Sequence, residues 1–150
     1  MASLPPFQLV LETNSDAVWR YLRGMVGRQA AEDCFQETFL SALRAYPRLR
    51  ENSNVRAWLL TIAHRKAIDH TRRAGRELPL EGRDEPLAPA LPDREIWSAV
   101  AALPPRQRAA VMLRYAGDLP HRAVAGVIGC SEEAARRSLH EGLKRLRETL

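Results

Sequence analysis

The chain has 150 residues, of which 45% are hydrophobic and 27% are charged, and it carries a formal net charge of +5. No apolar run approaches the roughly 20 residues that cross a bilayer, and the N-terminus lacks the basic region and apolar core of a signal peptide. We therefore expect a cytoplasmic protein with no membrane insertion, and the positive charge favours an anionic partner such as nucleic acid.

The two cysteines, Cys34 and Cys130, have neither the number nor the spacing of a disulfide scaffold or a zinc site. We expect two buried or half-buried thiols, and a redox switch is the less favoured alternative because nothing in the sequence marks either thiol as activated. No metal site is predicted.

Helical periodicity dominates the chain and no segment alternates convincingly as a strand would, which predicts an all-α protein. The interruption at residues 75–93 contains four prolines, and residues 77–95 hold 2 basic against 6 acidic residues. Such a composition cannot sustain a packed helix and predicts a flexible acidic linker. We therefore predict two small helical domains, at residues 1–74 and 94–150, each with little core to spare.

In the first domain, a helix is predicted from Gln29 to Tyr46. Its core face consists of five residues at steps of three and four: Ala31, Phe35, Phe39, Ala42 and Tyr46. Beside that face lies a second stripe at helical spacing, mostly polar with one leucine: Asp33, Gln36, Glu37, Leu40 and Arg44. A stripe of this kind is usually only solvated surface.

The next predicted helix, from Asn54 to about Arg73, has an inward apolar face and a basic outer face. The inward residues are Val55, Trp58, Leu59, Ile62 and Ala63. The outer face and the loop before it supply basic and amide side chains: Arg48, Arg50, Asn52, Arg56, His64, Arg65, Arg72 and Arg73. That combination suits a phosphate backbone and unpaired bases.

The second domain is predicted to begin with helices at Ile96 to Leu103 and at Pro105 to Tyr115. In the latter helix, Pro105 occupies the first turn, where the missing N–H costs nothing. Its core side is predicted to consist of Val111, Met112 and Tyr115, and Gly117 and Asp118 follow its end.

The segment from Leu119 to Leu150 has the pattern of a DNA-binding helix-turn-helix. Gly129 suits the left-handed turn, and Ser131 can cap the second helix. One face of each helix is predicted to be buried, namely Val124, Ala125 and Ile128, then Ala135, Leu139, Leu143, Leu146 and Leu150. The outward positions are then Arg136, Arg137, His140, Glu141 and Lys144. The alternative is an amphipathic hairpin whose basic face is merely solvated.

Four blocks in this order resemble one known family, the bacterial RNA polymerase sigma factors of the extracytoplasmic-function group, which keep only regions 2 and 4. The blocks are AEDCFQETFLSALRAY (31–46), VRAWLLTIAHRKAIDHTRR (55–73), ALPPRQRAAVMLRY (102–115) and SEEAARRSLHEGLKRLRE (131–148). The resemblance implies that region 2 binds the polymerase clamp and the promoter −10 element, whereas region 4 reads the −35 element and contacts the polymerase flap. It also implies an anti-sigma factor as a further partner.

Carried over by position, the resemblance assigns residues to three surfaces. The implied polymerase-binding residues are Asp33, Gln36, Glu37 and Leu40. The implied −10 residues are Arg48, Arg50, Asn52, Asn54, Arg56, His64 and Arg65. The implied −35 residues are Arg136, Arg137 and His140 at bases and Lys144 at phosphate. No catalytic residue is required, because a pocket and phosphate contacts can offset the cost of extruding a base, and no cofactor is expected since the chain has no phosphate-cradling Gly loop.

Four features depart from the usual pattern of the family. Arg65 stands where Asn is common, and Leu60 stands where Tyr is frequent. Glu141 replaces a frequent Arg, and it is expected either to accept a hydrogen bond from a cytosine amino group or to pair with Arg137 or Arg145. Pro5 and Pro6 are expected to leave little room for the first helix of region 2, which Phe7, Leu9 and Leu11 could partly replace.

Two other classes of function stay open from the sequence. A sigma-like DNA-binding regulator without productive initiation is motivated by the departures in region 2. An enzyme is weakly supported, because the four histidines, His64, His70, His121 and His140, do not converge with paired carboxylates at catalytic spacing.

Overall fold

A computed structural model of the chain describes residues 4–51, 53–76 and 94–150. Within these ranges it contains seven α-helices, one short 3₁₀ turn and no strand, which confirms the all-α prediction. The predicted linker lies outside the described residues except for positions 75 and 76, which still belong to the third helix. Asn52 also lies outside them.

The N-terminal half consists of α1 (Phe7–Val26), α2 (Arg28–Ala45), a 3₁₀ turn (Tyr46–Arg48) and α3 (Val55–Arg76). The expectation that Pro5 and Pro6 leave little room for a first helix is wrong, because α1 runs for 20 residues. A proline just before a helix removes no N–H that the helix needs. The Pro6 carbonyl itself accepts hydrogen bonds from the N–H groups of Leu9 and Val10.

The core of this half forms where one face of α1 meets α2 and α3. Val18, Tyr21 and Leu22 of α1 are wholly buried, as are Leu59 and Ala63 of α3. Gly27 separates α1 from α2 with a φ of 85°, a left-handed value that a residue with a Cβ rarely adopts. This single glycine therefore lets two long helices pack side by side.

The C-terminal half consists of α4 (Arg94–Ala101), α5 (Pro105–Tyr115), α6 (His121–Ile128) and α7 (Glu132–Thr149). The predicted turn geometry is present between α6 and α7, where Gly129 has a φ of 83°. The Ser131 Oγ accepts a hydrogen bond from the Ala134 N–H at 3.1 Å and so caps α7.

Two predicted core residues of this half are exposed. Tyr115 is 62% exposed because it stands in the last turn of α5, where its ring lies beside the Arg114 guanidinium instead of in the core. Leu150 is also 62% exposed, since it follows the end of α7 at Thr149. The buried stripe of α7 is accordingly shorter than predicted and begins with Ala135 and Leu139.

The two halves pack against each other, with α1 in contact with α4 and α5, and α3 in contact with α6. Their buried residues form one continuous hydrophobic cluster. Leu60 of α3 and Met112 of α5 are buried members of that cluster. Two halves that each have a small core of their own thus bury more apolar surface together.

Candidate polymerase-binding and nucleic-acid interfaces

The outer face of α2 carries the acidic stripe, which we define as Asp33, Gln36, Glu37 and Leu40. All four side chains are exposed, and Leu40 remains 53% exposed in spite of its apolar character. Leu43, which the sequence reasoning did not single out, is 53% exposed on the same helix. Exposed leucines next to carboxylates suit a protein-binding surface better than a merely solvated one.

The acidic stripe also affects the thiol beneath it. Burial raises the pKa of Cys34, and the nearby carboxylates of Glu37 and Asp33 raise that pKa further. The Cys34 Sγ lies 4.0 Å from the backbone carbonyl of Lys66 on α3. A thiol with a raised pKa is less nucleophilic at neutral pH, so this environment favours the predicted structural role over a redox switch.

The chain between α2 and α3 brings basic side chains to the surface. Arg48 and Arg50 are both exposed there. Asn54 precedes α3 and its Oδ1 accepts a hydrogen bond from the Ala57 N–H at 3.1 Å, so that this oxygen caps the helix. Because the cap uses Oδ1, the amide nitrogen is the part of the Asn54 side chain that can contact a ligand.

Arg56, in the first turn of α3, is held in place by a residue that the sequence reasoning missed. The Arg56 Nε donates to the Asn14 Oδ1 at 2.9 Å. Asn14 is 6% exposed, and its Nδ2 donates to the Val10 carbonyl at 2.8 Å. Both polar atoms of the amide are thus satisfied, and the guanidinium is anchored through Nε. Its two terminal nitrogens have no hydrogen-bond partner among the residues that the structure describes, so they can bind a phosphate or a base.

His64 lies in a different setting from the exposed contact that was predicted. Its Nδ1 is 2.6 Å from the Tyr21 hydroxyl, and the ring is half-buried between α1 and α3. Burial raises the pKa of Tyr21, so the phenol keeps its proton and needs an acceptor. Burial, and then the Arg65 charge, lower the pKa of His64, which keeps the imidazole neutral and able to accept. His64 therefore joins two helices, whereas the adjacent Arg65 is exposed.

The recognition face, which we define as Arg136, Arg137, His140 and Lys144, lies along the outer side of α7 and is exposed throughout. Arg136 pairs with Glu132 at 2.9 Å and Arg137 with Glu133 at 3.8 Å, each one helical turn earlier. These pairs are solvent-exposed and individually weak. The guanidinium groups can therefore exchange a carboxylate for a base or a phosphate at low cost.

Among the residues that the structure describes, Glu141 forms no pair with Arg137 or Arg145, and its contact with a cytosine amino group stays a prediction. Its Oε2 accepts a hydrogen bond from the Gln107 Nε2 of α5 at 3.3 Å. The side chain is thereby drawn back from the recognition face toward α5. A carboxylate held in this way opposes a DNA phosphate less than one that projects among the arginines.

The described ranges show no group of three His, Cys, Asp or Glu side chains that could hold a metal ion. Over the same ranges, none of the helices combines the length and the apolarity that crossing a bilayer requires. The exposed side chains that the geometry brings together are cations and amides, which can bind and orient an anionic partner.

Comparison with protein families assigns most of the chain to two families. Residues 10–77 match the family described as Sigma-70 region 2. Residues 93–146 match the family described as Sigma-70, region 4. The first match covers most of α1 and all of α2 and α3, and the second covers α4, α5, α6 and most of α7.

Curated relatives carry the same assignment over almost the whole chain. The ECF RNA polymerase sigma factor SigX of Bacillus subtilis is 30% identical over 95% of this chain and 82% of its own length. The RNA polymerase sigma factor CarQ of Myxococcus xanthus is 31% identical over 96% of this chain and 88% of its own. Among solved structures, the sigma factor RpoE of Bartonella quintana, in complex with the anti-sigma factor NepR, shares the fold. Its TM-score is 0.84 at 24% identity, with 95% of each chain covered.

Proposed function

This chain belongs to the extracytoplasmic-function group of RNA polymerase sigma factors, and from that premise we propose how its surfaces divide the work of transcription initiation. As a sigma factor it binds core polymerase and promoter DNA. The family assignment favours initiation over the alternative of a regulator that binds DNA without starting transcription. The family is one of initiation factors, and no reaction catalysed by this chain is proposed.

The acidic stripe is our candidate for the surface that binds the polymerase clamp. Four exposed residues at helical spacing support it, and they include an apolar side chain that no other part of the described chain covers. Leu43 extends the same surface. Carboxylates around a leucine give such a contact both apolar area and charge complementarity to a basic partner.

The −10 element is assigned to the segment before α3 and to the first turns of α3. The assignment keeps Arg48, Arg50, Asn54, Arg56 and Arg65, and Asn52 stays a prediction outside the described residues. His64 is reassigned to the support of α3, because its Nδ1 is occupied by Tyr21. Asn14 enters as the residue that positions Arg56.

The −35 element is assigned to the recognition face of α7. The single observation that carries this assignment is a capped helix with four exposed basic or imidazole side chains on one side, following a left-handed glycine turn. Such a helix fits the major groove, in which Arg136, Arg137 and His140 would meet bases and Lys144 a phosphate.

In-vitro transcription with purified core polymerase tests the proposed function. Promoters are first collected by chromatin immunoprecipitation and sequencing, and each is then transcribed with core polymerase alone and with core polymerase plus the protein. Transcripts that depend on the protein are expected from several promoters. If no promoter gives such a transcript, the proposed function is wrong.

An anti-sigma factor is the remaining partner that we propose. We also propose that the protein acts in the cytoplasm, where core polymerase is found. The support is membership of a family in which such partners are expected. Affinity purification of the full chain from cells tests it. The expected result is a co-purified protein that releases the chain from core polymerase in vitro. Co-purification of core polymerase alone, under all growth conditions, would contradict the proposal.

A further inference from the structure

Glu141 stands on the flank of α7, between the recognition face and the buried side of the helix. Ser138 and Gly142, which lie at or next to helical spacing from it, are both buried. Arg137 and Lys144, on its other flank, belong to the exposed recognition face. From this position a glutamate side chain can turn toward either surface. Its direction decides whether the carboxylate takes part in the contact with DNA.

The helix α5 crosses α7 at close range beside this position. A Cβ on Gly142 would lie 2.9 Å from the Val111 Cγ2 and 3.4 Å from both the Cβ and the carbonyl oxygen of Gln107. A larger residue at 142 would therefore push the two helices apart. With glycine there, the crossing brings the Gln107 side chain to the flank of α7 that carries Glu141.

The amide of Gln107 suits Glu141 in one orientation only. Its Nε2 donates to the Glu141 Oε2 at 3.3 Å. Its Oε1 is buried and has no hydrogen-bond partner among the residues that the structure describes. Turning the amide over would set two oxygen acceptors against each other and would bury the NH2 group in place of the oxygen. The Gln107 nitrogen therefore stays turned toward the carboxylate, and it keeps that carboxylate on the side of α5.

The neighbouring arginines of α7 do not draw Glu141 back to the recognition face. The Arg137 guanidinium, one turn earlier, lies 3.8 Å from the carboxylate of Glu133 instead. Arg145, one turn later, forms no ion pair within the described ranges. In this part of the chain, Gln107 is thus the partner that the fold gives to the Glu141 carboxylate.

We infer that Gln107, although it lies on α5 and outside the recognition helix, sets how strongly the −35 element is read for cytosine. This inference rests on the proposed function of the recognition face. A glutamate on a recognition helix can accept a hydrogen bond from the amino group of cytosine in the major groove. To make that contact here, Glu141 must first leave Gln107.

The preference for cytosine is therefore reduced by the free energy of the contact between Gln107 and Glu141. At any other base the carboxylate stays on Gln107, where it opposes the DNA phosphates less. Gln107 is thus a positioning residue: it weakens one base preference of the protein and lets the protein accept more than one base at that position of the element.

Removal of the Gln107 amide tests the inference in the full chain. Gln107→Met keeps the length of the side chain and removes the donor. It also removes a buried oxygen that has no partner, so we expect the fold to persist. Gln29→Met makes the same change on an exposed residue of α2 and is the matched control.

The probe is a library of duplexes that carry the −35 element of a promoter found by immunoprecipitation, with each base pair varied in turn. Each variant of the protein is mixed with the library, and sequencing of the bound and free fractions gives the relative affinity for every base at every position. Thermal melting of each variant is measured in parallel.

In Gln107→Met, the preference for cytosine is expected to rise at one base pair by about two- to fivefold, because a long hydrogen bond no longer opposes the contact. Preferences at the other base pairs should match those of the wild type and of Gln29→Met. In a Glu141→Ala background, Gln107→Met should change no preference, since no carboxylate is left to release. Unchanged preferences with Glu141 present, or the same change without Glu141, would overturn the inference.

A second variant keeps the inference testable if the methionine variant melts at a lower temperature. Gln107→Glu keeps the shape of the side chain but sets a second carboxylate beside Glu141, so Glu141 is expelled from α5. The rise in cytosine preference is expected to be at least as large, and an unchanged preference would contradict the inference. Failure of the proposed function has a different signature. If the wild type prefers no base at any position, the recognition face does not read the element and the inference falls with it.

Discussion

Replacement of Arg136 by alanine offers the sharpest test of the recognition face. A bidentate contact from arginine to a base is worth about 1 to 3 kcal/mol of discrimination. In the unbound helix, however, Arg136 already pairs with Glu132 at 2.9 Å, with 60% and 46% of the two side chains exposed. An exposed pair at this spacing contributes about 0.3 to 0.5 kcal/mol, and DNA binding must break it.

The expected net cost of Arg136→Ala is therefore about 0.5 to 2.5 kcal/mol, or roughly 2- to 70-fold in affinity for the −35 site. In a Glu132→Gln background no pair has to be broken, and the cost of Arg136→Ala should rise by about 0.3 to 0.5 kcal/mol. The double-mutant cycle measures that coupling directly.

Fluorescence anisotropy with the full chain and a −35 duplex is the suitable assay, because the recognition face is exposed without separation of the halves. A duplex of the same length and random sequence is titrated in parallel over a range of salt concentrations. Equal loss on both duplexes, with a shallower salt dependence, would make Arg136 a phosphate contact and refute the assignment to a base.

Three further predictions concern the N-terminal half. Glu37→Arg should weaken binding to core polymerase by at least about tenfold, as expected when a charge inside a protein interface is reversed, while affinity for the −35 duplex is unchanged. His64→Gln should flatten the dependence of the unfolding free energy on pH. Burial lowers the pKa of His64 in the folded chain below its usual 6.5, so the wild-type protein loses stability as the pH falls from 6.5 through that lower value. The slope of this loss is at most about 1.4 kcal/mol per pH unit. Asn14→Ala should reduce promoter opening by about 2- to 10-fold, the equivalent of one lost hydrogen bond that positions Arg56, without a change at the −35 duplex.

Each of these predictions has a matched control. Glu12→Arg makes the same charge change on an exposed residue of α1, and equal weakening of polymerase binding by both variants would remove the acidic stripe from the interface. Urea unfolding between pH 7.5 and 5.0 compares His64→Gln with wild type, and parallel curves would show that His64 does not set the slope. Asn14→Ala should add nothing to Arg56→Ala in promoter opening, whereas additive losses would mean that Asn14 does not act through Arg56.

The sequence was sufficient to predict the elements whose determinants are local. The bounds of α5, the left-handed glycine at 129 and the Ser131 cap are all as predicted, because proline, glycine and serine act within a few residues of their own position. The outward side of α7 also followed directly from helical spacing.

Residues whose environment depends on the packing of the halves could not be placed in this way. Leu60 lies outside the predicted inward face of α3, yet it is wholly buried because the loop after α5 covers it. His64 falls on the predicted basic face, but α1 supplies Tyr21 as its partner from 43 residues away. Periodicity within one helix contains no information about which other helix covers its second face.

The burial of Asn14 is indicated by the sequence itself. Asn14 stands at helical spacing between the apolar residues Val10 and Val18, which predicts a buried polar group in α1. Buried amides are normally satisfied by hydrogen bonds, so a partner on another helix was to be expected. Only the structure shows that this partner is Arg56 of α3.

The two arginine–glutamate pairs at the start of α7 have a consequence for how the protein searches a genome. Glu132 and Glu133 neutralise Arg136 and Arg137 in the unbound helix, so these first turns offer little net charge to RNA or to random DNA. Sequence-independent affinity comes mainly from phosphate neutralisation and grows with every free cation. Internal pairing therefore lowers the affinity of these first turns for random sites, and each weak pair is exchanged most favourably where a base adds its own hydrogen bonds to the contact.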